Sequence, residues 1–243
     1  MNSNQAAITV NRVVKQFEKK EVVSDISFTV RKNQIYGLVG PSGSGKTTLI
    51  KMIAGISEAT KGEVTVLNTR MPNLEGMKRI GYMAQADALY GELSAYENMD
   101  FMATMYGLKQ ARKKQRIQDM LALVNLTEHQ SKPVHQFSGG MKKRLSLAIA
   151  LLHEPDVLIL DEPTVGIDPI LRKSIWKEFH NLRDNGTTIL ITTHIMDEAE
   201  LCEQLCLLRD GRLLAVGTPA ALKEQTGTGR LEDVFLMKGA AEQ

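Results

Sequence analysis

The sequence predicts an α/β fold organised around a parallel sheet, and three stretches carry that prediction. Gly40 to Thr48 reads GPSGSGKTT, a glycine-rich loop set between an apolar strand pattern and an apolar helix pattern. VLILDEP from Val157 is a continuous apolar run, as a strand covered on both faces of a parallel sheet requires, and TTILITTH from Thr187 reads as the next buried strand. Helical patterns alternate with these runs, which is the order of an α/β domain.

The elements follow in chain order. Ile8–Phe17, Ile26–Val30 and Gln34–Val39 are short, rich in β-branched residues and parted by polar clusters, so they read as strands. After Lys46, a helix places Leu49, Met52, Ile53 and Ile56 on one face and stops near Gly55. GEVTVLN from Gly62 is a further strand. Between about Met83 and Gln136 strand signals vanish. Ile117, Met120, Leu121 and Val124 form a helical stripe there, beside a basic run, Arg112–Arg116, that reads as a solvated helix face. Asp168-Pro169 is an N-cap followed by proline at the first helical position. Leu171, Ile175, Phe179 and Leu182 give that helix its inner face, and Asn185-Gly186 ends it. A helix through Glu198 to Cys202 leads to the hairpin QLCLLRDGRLLAVG, turned at Asp210-Gly211. Thr218-Pro219 opens a last helix, followed by a flexible joint and a short amphipathic piece. The expected division is one domain over 1–225, with a helical subdomain inserted at about 84–145, and a short tail over 226–243.

Composition narrows the function classes. A chain of 243 residues is one large domain or a core with a subdomain. A net charge of +2 is too small to argue for nucleic acid or an anionic membrane surface. Cys202 and Cys206 have no zinc spacing and read as reduced, packed thiols. No signal peptide is evident, and the longest apolar candidate, Leu145–Leu160, is interrupted by HEPD. If the chain works at a membrane, another polypeptide is expected to supply the spanning part.

The chemistry-bearing residues fall into three groups. Gly40, Pro41, Ser42, Gly43, Ser44, Gly45, Lys46, Thr47 and Thr48 complete the G-x-x-x-x-G-K-[ST] pattern. Its glycines let backbone N–H groups curl around phosphate oxygens, Lys46 supplies a point charge to the β- and γ-phosphates, Thr47 is a Mg²⁺ ligand and Thr48 donates to the α-phosphate. Asp161, at the carboxyl end of its strand, is a second Mg²⁺ ligand, usually through water, and Glu162 is a candidate general base. His194 ends a neighbouring strand, where ligands of parallel sheets bind, and is placed to meet the γ-phosphate. The third group is Ser138, Gly139 and Gly140. A serine N-cap followed by two glycines leaves the first N–H groups of a helix bare, a second anion site or simply a flexible cap.

In their order and spacing these motifs resemble the ATP-binding cassette of ABC transporters, over essentially the whole chain from Ile8 to about Gly217. The resemblance implies a RecA-like P-loop NTPase core with an antiparallel β-subdomain and an inserted α-helical subdomain. It implies ATP and Mg²⁺ as cofactors, with Phe17 stacking on adenine and Gln85 sensing Mg²⁺ and the attacking water. Gly166 and Asp168 resemble the loop that links two nucleotide sites across a dimer, and Ser138–Gly140 would face the partner's ATP. Implied partners are a second ATPase subunit, in a homodimer or heterodimer, and a separate multi-span permease contacted by residues 87–98. No nucleic acid is expected, and the location implied is peripheral, on the cytoplasmic face of the cell membrane. Phe137 and Met141 depart from the usual Leu and Gln flanking the signature, and VGID precedes the proline where many members read Ser-Ala-Leu-Asp. Both departures, with LEDVF at Leu231, resemble the branch that exports drugs, antibiotics or lipids. A soluble cassette ATPase acting on nucleic acid or ribosomes is the alternative. The short interval between Lys46 and Ser138, and the presence of a single cassette, weigh against it.

Overall fold

The computed structural model describes residues 6–86, 88–227 and 229–240. The strands in chain order are β1 (Ala6–Phe17), β2 (Lys20–Arg31), β3 (Ile35–Val39), β4 (Lys61–Val66), β5 (Thr69–Arg70), β6 (Ile80–Met83), β7 (Val157–Asp161), β8 (Thr188–Thr193), β9 (Gln204–Arg209) and β10 (Arg212–Gly217). The α-helices are α1 (Lys46–Ile53), α2 (Leu74–Met77), α3 (Ala95–Met105), α4 (Gln110–Leu123), α5 (Gly139–Ala150), α6 (Pro169–Asp184), α7 (Met196–Ala199), α8 (Pro219–Thr226) and α9 (Leu231–Ala240).

Two sheets carry the fold. The first is antiparallel, in the order β2-β1-β4-β5. Strand β2 alternates, with Ile26, Phe28 and Val30 turned inward and the residues between them exposed, as a half-buried strand must. The second sheet runs β10-β9-β3-β8-β7-β6. Every residue of β3, β7 and β8 is buried, because apolar clusters cover both faces. The apolar runs of β3 and β7 follow from that position.

Register then decides where the chemistry lies. Parallel pairing sets Val39 beside Thr193 and Asp161 beside Thr192. The segments leaving β3, β7 and β8 therefore emerge together at one edge of the sheet. These segments are the glycine-rich loop, Glu162 and His194.

Several sequence expectations are revised. Helix α1 buries Leu49, Met52 and Ile53, but Ile56 lies beyond it and is half exposed. The chain turns at Gly55 (φ 78°) before the apolar stripe can complete its next turn. Strand β2 begins six residues ahead of Ile26, since Glu18 takes a positive φ and turns the chain into a hairpin with β1. The basic run on α4 is not simply a solvated face. Lys113 is buried and pairs with Asp100 at 2.6 Å, while Arg116 donates to the Leu151 and Leu152 carbonyls at the carboxyl end of α5. A helix C-terminus carries unpaired carbonyls and partial negative charge, so a guanidinium is suited to it. Helix α7 spans Met196–Ala199, ahead of the expected Glu198–Cys202. The expected joint and amphipathic piece contain α9, whose Leu231 and Val234 are buried in the same cluster as the sheet. Cys202 and Cys206 are free, buried thiols, and burial pushes both up from the usual thiol range.

Helix α3 starts with a capping box, Ser94 and Glu97 bonding each other's backbone. Buried Asn98 then stitches the preceding loop through Tyr90, Leu93 and Ser94 carbonyls. At the far side of this region, Tyr106 stacks on His153 with ring centroids 3.8 Å apart, and His153 Nε2 donates to the Ile80 carbonyl at 3.2 Å.

Burial pushes the His153 imidazole down to about 4. An unfolded chain takes up that proton near pH 6.5, whereas the folded one resists until about 4. Stability from this residue is complete above pH 6.5 and is lost as pH falls through that window. With a discount for partial solvent access, His153→Gln should shrink the loss of stability between pH 7 and pH 5 by about 1 kcal/mol, read from denaturant midpoints.

Candidate active site

The loop after β3 is shaped by glycines for two distinct reasons. At Gly40 a Cβ would lie 2.2 Å from the Leu208 carbonyl oxygen, so close approach to β9 excludes any side chain. Gly43 faces open space but has φ 81°, and Gly45 has φ 96°. These conformations turn the loop into a concave nest of backbone. The loop is braced from behind by the β9–β10 turn. Gly211 N–H donates to the Ser44 carbonyl at 3.2 Å, and Gly211 in turn accepts from Ser24 N–H of β2 at 2.8 Å.

Lys46 is buried, its ammonium donating to the carbonyls of Gly40 and Pro41 at 2.7 and 2.9 Å. Burial lowers its pKa, and the facing carboxylates of Glu162 and Asp161 act in the opposite sense. A cleft of about 220 Å³ opens here. Ser42, Gly43, Gly45, Lys46, Thr47 and Thr48 form one wall, with Gln85 and Glu162 across from them and Val22 at the side.

The acidic strand end is held by β8. Thr192 Oγ1 donates to Asp161 Oδ1, and Glu162 N–H donates to the same hydroxyl at 3.0 Å. Asp161 Oδ2 is buried and has no hydrogen-bond partner among the described residues, which is the state of an oxygen suited to a cation. Glu162 sits at φ 51°, a costly conformation for a residue with a side chain. Its carboxylate is clasped on both sides, by His194 Nδ1 at 2.9 Å and by Gln85 Nε2 at 3.3 Å. Lys46, Thr47, Thr48, Gln85, Glu162 and His194 are thus brought to one mouth, with Asp161 beneath it.

The other candidates lie apart from that mouth. Ser138 caps α5, accepting from Met141 N–H at 3.3 Å, and Gly139 faces open space. Gly140 neighbours the Gly166 carbonyl, 3.4 Å from where its Cβ would stand. None of Ser138, Gly139 and Gly140 lines the cleft described above. Asp168 accepts from Leu171 N–H at 2.9 Å and so caps α6. Phe17 is half exposed, with Lys15 Nζ 5.1 Å from its ring centre, and does not line the cleft either. The two departures flanking the signature are packing residues: Phe137 is buried in the core and Met141 packs against it.

Thr192 and Val22 are site residues that sequence reasoning missed. No local signal marks Thr192, one of three threonines in β8; its part follows from its pairing with Asp161 on the neighbouring strand.

The sequence profile described as ABC transporter matches residues 23–165. This chain belongs to the ABC transporter family. It is 38% identical over 223 residues to the linearmycin resistance ATP-binding protein LnrL of Bacillus subtilis (strain 168), spanning 90% of this chain and 72% of that one. It is 37% identical over 231 residues to the probable multidrug ABC transporter ATP-binding protein YbhF of Escherichia coli (strain K12), covering 94% of this chain but only 40% of that relative's length. Among solved structures, an ATP binding subunit of an ABC transporter superposes with a TM-score of 0.90 at 28% identity, covering 96% of this chain and 99% of that one. The fold is therefore that of the family's ATPase domains, a RecA-like core with its antiparallel sheet.

Thr192→Val removes the hydroxyl from both Asp161 and Glu162 N–H. It should cost about 2 kcal/mol in denaturant unfolding, and Thr192→Ser should restore most of that.

Proposed function

We propose that this chain is the ATP-hydrolysing subunit of an exporter. In this reading it closes head to tail on a second ATPase subunit and drives a separate membrane-spanning permease. The observation that carries the reading is Glu162, its carboxylate clasped between Gln85 and His194 at the mouth of the phosphate-loop cleft. The loop amides and Lys46 bind the β- and γ-phosphates. Glu162 accepts the proton of the attacking water, His194 orients the carboxylate through Nδ1, and its Nε2 is left for the γ-phosphate. Asp161 Oδ2, Thr47 and Gln85 have the oxygen chemistry to hold Mg²⁺. When bound, Mg²⁺ neutralises charge on the β- and γ-phosphate oxygens.

Ser138–Gly140 point to the dimer. They form a bare helix start that stands away from this chain's own cleft, which suits them to the phosphate of an opposing copy. The Gly166 carbonyl neighbours Gly140 and Asp168 follows two residues on, so the same closure would bring that loop to the interface. Phe17, exposed at the end of β1, is assigned to the adenine base.

No helix among the described residues is long and apolar enough to cross a membrane. An apolar groove of about 460 Å³ lies between α2 and α3, lined by Leu74, Met77, Tyr82, Met102 and Met105 among others. Leu74 and Met105 are largely exposed there, and a cytoplasmic helix of the permease suits that groove. Residues 95–98 of the segment assigned to the permease begin α3, whose other end lines the groove, and Asp87 lies outside the described residues. The names of LnrL and YbhF favour a drug or antibiotic as cargo, and the permease would hold the chain at the cytoplasmic face of the membrane.

Glu162→Gln should bind ATP within about threefold of the native affinity while turnover falls by about 100-fold or more. It should also accumulate as an ATP-dependent dimer in size-exclusion chromatography; a monomer with native turnover overturns the assignment. Met105→Glu should abolish co-purification with a membrane protein from solubilised membranes and leave ATP affinity intact.

A further inference from the structure

Glu198 is a buried carboxylate that the reaction above does not use. It is 2% exposed, on the short helix α7 four residues past His194. An ionised carboxylate is costly to bury, so its partners are what keep it there. Oε1 accepts from Thr164 Oγ1 at 2.5 Å and lies 3.9 Å from the Arg172 guanidinium of α6. Oε2 accepts from Thr193 Oγ1 at 2.8 Å.

Those two threonines sit at consequential places. Thr193 immediately precedes His194, and its hydroxyl also accepts from Ile195 N–H at 3.0 Å, so it shapes the turn that presents the imidazole to Glu162. Thr164 lies two residues past Glu162 and is buried. Its carbonyl accepts from Ile167 N–H at 3.2 Å, which folds the Gly166–Asp168 turn back on itself. One carboxylate therefore ties the segment bearing His194 to the loop bearing Gly166 and Asp168.

We propose that Glu198 is a positioning residue that makes the His194–Glu162 pair and the Gly166–Asp168 loop move as one unit. A shift of His194 on γ-phosphate binding or release is then passed to the loop at the subunit interface, and from there to the opposing site. The coupling is reciprocal, so ATP at either site biases the other. This inference rests on the head-to-tail dimer of the proposed function.

The test uses the full chain and variants that remove hydroxyls with little change of shape. Thr164→Val and Thr193→Val should each lower kcat tenfold or more, with KM for ATP within about twofold, because neither touches nucleotide. Thr164→Val should also bring the Hill coefficient for ATP down to about 1 from a native value near 2. Thr164→Ser and Thr193→Ser should restore kcat. Glu198→Gln combined with Thr164→Val should lose no more activity than the worse single variant, as members of one unit do. Thermal unfolding separates positioning from folding. A loss of kcat that follows a matching fall in Tm, and that serine fails to restore, overturns the inference. So does Thr164→Val with native kcat and Hill coefficient in a background where Glu162→Gln still traps the ATP dimer; the function reading then stands without it. If Glu162→Gln traps no dimer, both fall.

Discussion

Parallel pairing between β3, β8 and β7 is the constraint on which the rest depends. A parallel ladder admits no small adjustment of register: a slip by one residue exchanges the faces of every side chain. Here both faces are covered, so the penalty for slippage falls on fully buried residues all along three strands. That rigidity holds the ends of these strands level. The phosphate loop, the Asp161-Glu162 step and His194 are contributed by segments far apart in sequence, and the ladder alone brings them together.

A strained residue stands at the same edge. Glu162 holds a positive φ, as do Gly43 and Gly45 in the loop opposite. A residue with a side chain stays in that conformation only when its surroundings over-determine it. Glu162 meets that requirement through its N–H to the Thr192 hydroxyl and carbonyl and its carboxylate to His194 and Gln85. The carboxylate is thus oriented before any substrate arrives, which is how electrostatic preorganisation is built.

The parts of this site legible in the sequence were those whose function is local. A phosphate loop is made of consecutive residues, a buried strand announces itself by an unbroken apolar run, and a serine N-cap precedes its helix directly. What was not legible depends on contacts across the fold. The α4 basic run could not disclose that Arg116 faces the carbonyls of α5, because composition says nothing of which helix end lies opposite. Ile56 fits the helical period, but the period does not register that Gly55 has already reversed the chain. Thr192 and Glu198 are ordinary residues in sequence, and only their neighbours on other elements give them a part. The departures at Phe137 and Met141 were legible as differences without a reason; the reason is the core that both side chains help fill.

The turn at Asp210-Gly211 has the sequence of a tip that tolerates insertion, at an exposed hairpin end of an edge strand pair. Its position says otherwise. Gly211 bonds the phosphate loop through Ser44 and the antiparallel sheet through Ser24, and a Cβ there would stand 2.5 Å from the Val22 carbonyl oxygen. This two-residue turn is the rivet that joins the two sheets to the loop. A tag, an epitope or a split point placed in it would unseat the nucleotide cradle from both. For fusion or circular permutation of this chain, the most inviting hairpin on the surface is the one to leave alone.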